Sequence, residues 1–157
     1  MLHIQTILHP TDLSEQSRHA LHAACAMARD YQARLVIVYV ALPPIMLYGA
    51  ELAAGYPETF SEKAQAQLQR LELPIEVHDV ERRVVEGDPA DAILDVAKDI
   101  AANVIVMGTR ARSLLGRIFA GSVADKVVRR AKCPVLTVSQ PIADIAPRDQ
   151  DHYARAG

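Results

Sequence analysis

Between Met107 and Val123 the chain reads MGTRARSLLGRIFAGSV, which holds three glycines, three arginines and a Gly-Ser pair. The stretch lies between an apolar run, NVIVM, and a pattern that reads as a helix from Ser122. These residue types suit an anion. A helix start offers unpaired N–H groups and a partial positive charge, where phosphate sits readily. Gly121 lets an anion approach the backbone closely, and the Ser122 hydroxyl adds a donor. Gly108, directly after the apolar run, lets the chain turn without a side chain filling the space. Arg110 and Arg112 are placed to clamp charge from the side, because guanidinium meets phosphate bidentately. The same residues also serve a plain turn, with Ser122 as N-cap and the arginines solvated. On the residues alone both readings stand. Neither G-x-x-x-x-G-K-[ST] nor G-x-G-x-x-G occurs.

A second candidate is Asp12 in HPTDLS, after the first apolar run. A carboxylate at the end of a strand suits a ribose hydroxyl or an adenine amino group. Asp12-x-x-Glu15 also fits a capping box, and both roles are open. His9, His19 and His22 raise the question of a metal, but no Cys, Asp or Glu set completes a ligand group, so no metal site is expected. The apolar stretch Ala41 to Tyr56 reads as a cover over a bound base, through Leu42, Pro43 or Met46, or equally as a dimer contact.

These loops need a frame. IQTIL, stopped by His9-Pro10, reads as a buried strand; RLVIVYV and NVIVM read as strands covered on both faces. From Leu13 to Tyr31 the spacing is helical, with Ser17, Leu21, Ala24, Ala28 and Tyr31 in one stripe. ETFSEKAQAQLQRLEL reads as a polar surface helix and IEVHDVERRVV as a strand nearer the sheet edge. Asp88 as N-cap, Pro89 at the first position and Asp91 in the first turn open another helix. From Ser122 to Lys132 a helix is expected to bury Val123, Val127, Val128 and Ala131, and VLTV after Pro134 is a fifth strand. The alternation predicts an α/β fold: a single doubly wound five-stranded parallel sheet with helices on both faces. Such sheets bind ligands beyond the carboxyl ends of the strands, where the winding reverses. With strands 1 and 4 as central neighbours, that crevice falls between HPTDLS and the glycine stretch. Residues 1–140 read as one domain, and 141–157 as a polar, proline-broken tail.

ILHPTDLSE, VMGTR, GSVADKVVRRAKCPVLTV and the five-strand order together resemble the universal stress protein family, over residues 3 to about 139. ATP-binding members of that family carry G-x2-G-x9-G-[ST]. Here Gly108 fills the first position and Gly121-Ser122 the last, at the matching separation, while Ala111 stands at the second glycine. The resemblance implies ribose contact at Gly108 and phosphate contacts around Gly121, Ser122 and Val123. It also implies an adenosine end met by Asp12 and Val40. With the flanking residues, the candidate nucleotide-binding set is Pro10, Thr11, Asp12, Val40, Met107, Gly108, Arg110, Ala111, Arg112, Gly121, Ser122 and Val123. No catalytic residue is assigned. The expected ligand is ATP or another adenine nucleotide, with magnesium as its companion ion.

Composition bounds the rest. The chain has 157 residues, half of them apolar and 23% charged, which suits one globular domain. A net charge of −2 gives the whole molecule no pull toward nucleic acid or acidic membranes, although residues 108–132 alone carry +6. No apolar run nears the ~20 residues that cross a bilayer. The start MLHIQTILHP lacks the marks of a secretory signal, and Cys25 and Cys133 are the two cysteines, so a reducing, cytoplasmic setting is expected. An apolar fifth strand at a sheet edge invites a second copy, and the resemblance implies the same. A homodimer through Val135 to Val138 is therefore expected, together with an unidentified regulatory partner. The leading function is a stress-response protein that holds an adenine nucleotide as a regulatory ligand without dedicated catalysis. The alternatives are a dimeric regulator that has lost the nucleotide, for which Ala111 speaks, and a weak ATPase or self-phosphorylating enzyme acting through Ser122.

Overall fold

The computed structural model describes residues 3–43, 59–109 and 123–139. Strands β1 (Thr6–Thr11), β2 (Arg34–Ala41), β3 (Val80–Glu86), β4 (Val104–Gly108) and β5 (Val135–Val138) alternate with helices. The helices are α1 (Glu15–Tyr31), α2 (Thr59–Gln69), α3 (Pro89–Asp99) and α4 (Val123–Arg130). The strands form one parallel sheet in the order β3-β2-β1-β4-β5. From β1 the chain winds outward through β2 to β3, then crosses back over β1 to β4. The winding reverses between β1 and β4.

Alternation along the strands feeds two cores. On one face Ile7, Leu35, Ile37, Val104 and Val106 pack with Ala20, Leu21, Ala24 and Ala28 of α1 and Leu68 of α2. On the other, Leu8, Val36, Val38, Ile105 and Met107 meet Ala90, Ile93 and Val96 of α3 and Val127 of α4. Each Val, Leu, Ile or Met side chain among them contributes roughly 1.5–3 kcal/mol on leaving water, so both helical layers are held by burial. Helix ends are satisfied locally. Asp88 accepts from the N–H groups of Ala90 and Asp91 at 3.0 and 3.2 Å, ahead of Pro89. Gln32 ends α1 in a left-handed conformation, its N–H reaching the carbonyls of Ala28 and Arg29.

Five expectations need correction. β1 does not stop at His9-Pro10 but runs through both residues to Thr11. Strand β3 begins at Val80, and residues 75–79 ahead of it are not strand. The N-cap of α1 is Ser14, which accepts from the Ser17 N–H at 3.3 Å, so Asp12 does not cap and no capping box forms. Tyr31, placed in the buried stripe of α1, is 45% exposed at the helix's last residue. The valine stripe of α4 is also narrower than its sequence suggests. Val127 is fully buried, whereas Val123 and Val128 are 36% and 49% exposed. This two-turn helix leans on α3 and β5 near the sheet edge, so a single line of contact is covered. Residues 44–56 of the apolar stretch and the tail 141–157 lie outside the described residues.

Candidate ligand site at the reversal of the sheet

The carboxyl ends of β1 and β4 face each other across the reversal. Their register pairs Ile7 with Val104 and Leu8 with Ile105; carried forward, it sets Pro10 level with Met107 and Thr11 level with Gly108. Across β2, Thr11 pairs with Tyr39, so Val40 stands one residue further along, level with Asp12. Pro10, Thr11, Asp12, Val40, Met107 and Gly108 are thus gathered at one end of the sheet. Pro10, Thr11 and Met107 are buried, Val40 and Gly108 half-buried, and Asp12 exposed. Val123 opens α4. Arg110, Ala111, Arg112, Gly121 and Ser122 lie outside the described residues.

The turn after β1 is wired by its own side chains. Thr11 Oγ1 accepts from the Leu13 N–H at 3.1 Å and from the Ser17 hydroxyl at 2.8 Å. Asp12 Oδ1 accepts from the Ser14 N–H at 2.9 Å, an Asx turn. Leu13 is held at φ 63°, a left-handed conformation that a leucine adopts only under such constraint. The turn therefore presents Asp12 at the mouth of the crevice in a fixed place. One carboxylate oxygen is used internally. The other has no partner among the described residues, which leaves an acceptor for a ligand hydroxyl or amine.

A residue that the sequence reading weighed only as a metal candidate and strand stop sits beneath this turn. His9 is 0% exposed, and its Nδ1 lies 2.8 Å from the carbonyl oxygen of Val106 on β4. Burial lowers its pKa to about 4, against the opposing pull of the Val106 hydrogen bond and the Asp12 charge. The imidazole is neutral at physiological pH. The signal available was Pro10, since a proline inside a central strand leaves a neighbouring carbonyl without its donor.

His19 and His22 face a groove between α1 and residues 67–74. Among the described residues no group of three His, Cys, Asp or Glu side chains could hold a metal. Burial pushes the Cys25 thiol up to about 11 and raises that of Cys133, so neither is poised as a nucleophile. No helix among the described residues is long and apolar enough to cross a membrane.

Comparison with known proteins agrees with this frame. The signature of the Universal stress protein family matches residues 3–139. A universal stress protein of Thermus aquaticus is 37% identical over 141 residues, covering 85% of this chain and 98% of that protein. One from Methanocaldococcus jannaschii is 34% identical over 142 residues, covering 86% of this chain and 82% of its own. Among solved structures, a universal stress protein in complex with cAMP superposes with a TM-score of 0.60 at 28% identity, over 87% of this chain and 97% of that one.

Proposed function

The chain belongs to the universal stress protein family, and from that premise we propose that it binds ATP or a related adenine nucleotide as a regulatory ligand, without dedicated turnover, in the cytoplasm. One observation carries the reading: Asp12 is fixed by its turn at the reversal between β1 and β4, one residue beyond the Thr11–Gly108 level. In this reading the free Asp12 oxygen takes a ribose hydroxyl or the adenine amine, while Val40 and Met107 offer apolar surface to the base. Pro10 and Thr11 support the floor. Ribose lies at Gly108. The phosphates are assigned to Gly121, Ser122 and the N-terminus of α4 at Val123, with Arg110 and Arg112 as candidate cationic partners and Ala111 standing where ATP-binding members carry a glycine. Magnesium arrives with the phosphates rather than on a protein site. The cAMP complex of a relative supports an adenosine-shaped pocket in this fold.

Phosphoryl transfer requires a metal-holding carboxylate and a group orienting the nucleophile near the γ-phosphate. The 107–123 stretch contains no Asp or Glu, which is why a holding role is preferred to a catalytic one. Two copies pair through Val135 to Val138, where Leu136 is 40% exposed on an edge strand. A regulatory partner reads the liganded dimer.

Mass spectrometry of protein purified from cells tests the proposal, followed by calorimetric titration of the stripped protein with ATP. Co-purified adenine nucleotide and saturable heat are expected. No heat at millimolar ATP, on the other hand, favours the regulator that has lost its nucleotide, the reading for which Ala111 speaks. Sustained phosphate release lost in Ser122→Ala would promote the enzyme.

A further inference from the structure

The sheet is continuous to its carboxyl end at every seam but one. β1 pairs with β2 through Thr11–Tyr39, β2 with β3 through Ala41–Glu86, and β4 with β5 through Gly108–Val138. Pairing between β1 and β4 ends three levels earlier than the strands do, at Leu8–Ile105. The cause lies in one residue. Successive residues of a strand turn their backbone groups to opposite neighbours: Gln5 O accepts from Arg34 N on the β2 side, and Thr6 O from Asn103 N on the β4 side. Residues 8 and 10 therefore also face β4. The rung after Leu8 would run from the N–H of residue 10 to the carbonyl of Val106, and Pro10 has no N–H.

A buried carbonyl without a donor is unfavourable. That of Val106 is met by the His9 ring, Nδ1 to O at 2.8 Å. A carbonyl only accepts, so Nδ1 carries the proton. Nε2 then bears a lone pair, and it has no partner among the described residues. Because His9 is 0% exposed, the ring is closed off from whatever enters the crevice above it. A backbone rung would draw the strands to about 4.8 Å. The side chain satisfies the same carbonyl from the α1 face without closing the seam. The levels beyond the last pair, His9–Val106, Pro10–Met107 and Thr11–Gly108, lead up to the Asp12 turn.

We propose that His9 is a positioning residue, a side-chain strut that satisfies Val106 while holding β1 and β4 apart at the mouth of the crevice, so that nucleotide affinity depends on a buried group that never touches the nucleotide. The inference rests on the nucleotide reading above and adds a residue that reading does not contain.

The test uses ATP calorimetry and thermal melting on the wild type and four variants. His9→Leu fills the space without a donor, and His9→Asn keeps an N–H donor where Nδ1 stands. Pro10→Ala is made in the wild type and in His9→Leu, where it supplies the missing backbone N–H. His9→Leu should weaken ATP about tenfold or more, the scale of a lost buried hydrogen bond, and lower the melting temperature, while His9→Asn stays within about threefold. His9→Leu/Pro10→Ala should recover the melting temperature but not the affinity, because the new rung closes the seam. Recovery of both together would mean that His9 only quenches a carbonyl, and the proposal falls. ATP binding unchanged in His9→Leu overturns it as well. Should the wild type bind neither ATP nor cAMP, the nucleotide reading fails on its own, and nitrogen-15 NMR of the wild-type imidazole still decides the strut. A slowly exchanging proton on Nδ1 coupled to Val106 supports it; an Nε2–H tautomer overturns it.

Discussion

Thr11 Oγ1 is the acceptor on which the presentation of Asp12 depends. It receives the Leu13 N–H and the Ser17 hydroxyl in a site where Thr11 is 8% exposed. Thr11→Val keeps the shape and strands both donors, which should cost about 1–3 kcal/mol of stability in urea unfolding and weaken ATP. Thr11→Ser, which retains the oxygen, should do neither. If Thr11→Val unfolds at the wild-type midpoint, the turn is not held as described. Ala111 is a second single-residue question. Where a left-handed backbone is required at position 111, alanine costs roughly 1–2 kcal/mol, so Ala111→Gly should tighten ATP about tenfold by calorimetry. Unchanged affinity would clear the methyl of blame. The place of Asp12 just past β1 was legible in the sequence because it follows an apolar run and is local. His9 was not, because its role is set by a carbonyl 97 residues away and by the donor its neighbour Pro10 lacks.

At the scale of elements, the two edges of the sheet differ in chemistry. β3 carries Glu81 and Arg83, which pair with each other, with Arg34 of β2 and with Asp99 of α3. The guanidinium of Arg83 beside Glu81, helped by Arg34, holds that carboxyl below its usual range. Such a charged edge resists another strand. β5 offers Leu136 at 40% exposure and no comparable charge. If β5 is the dimer edge, Leu136→Lys should shift the protein to monomer in sedimentation while its melting temperature at low concentration stays near that of the wild type. A dimer that survives places the contact elsewhere. The sequence revealed α3 well, since Asp88, Pro89 and Asp91 write a helix start in adjacent residues. It was less clear for α4 and α1. Helical periodicity marks every apolar position on a face, whereas the fold covers only those the neighbouring layer reaches, such as Val127 but not Val128, and Leu21 but not Tyr31.

For the whole molecule, alternating strands and helices foretold a parallel sheet with covered faces, and the centre of that sheet carries a titration that affects stability. An unfolded imidazole takes up a proton near pH 6.5, whereas in the fold burial delays that step to about pH 4. Above pH 6.5 His9 is neutral in both states and takes nothing from stability. Between those values the unfolded chain binds a proton that the native protein refuses, so stability falls as the pH drops. Over a span of that width the loss reaches about 3 kcal/mol and then levels off below pH 4. Asp12, whose charge favours protonation of His9, softens the effect, and Asp12→Asn should deepen it. Glu81 adds a separate loss only in more acidic solution, as its carboxylate is protonated away from Arg83 and Arg34. Urea unfolding of the wild type and His9→Asn at about pH 7 and pH 4.5 isolates the imidazole, because every other group is shared. The wild type should lose about 2–3 kcal/mol more than the variant between the two conditions. Equal losses would mean that His9 is protonated in the native protein, and a charged ring with no partner at Nε2 could not remain buried between β1 and β4.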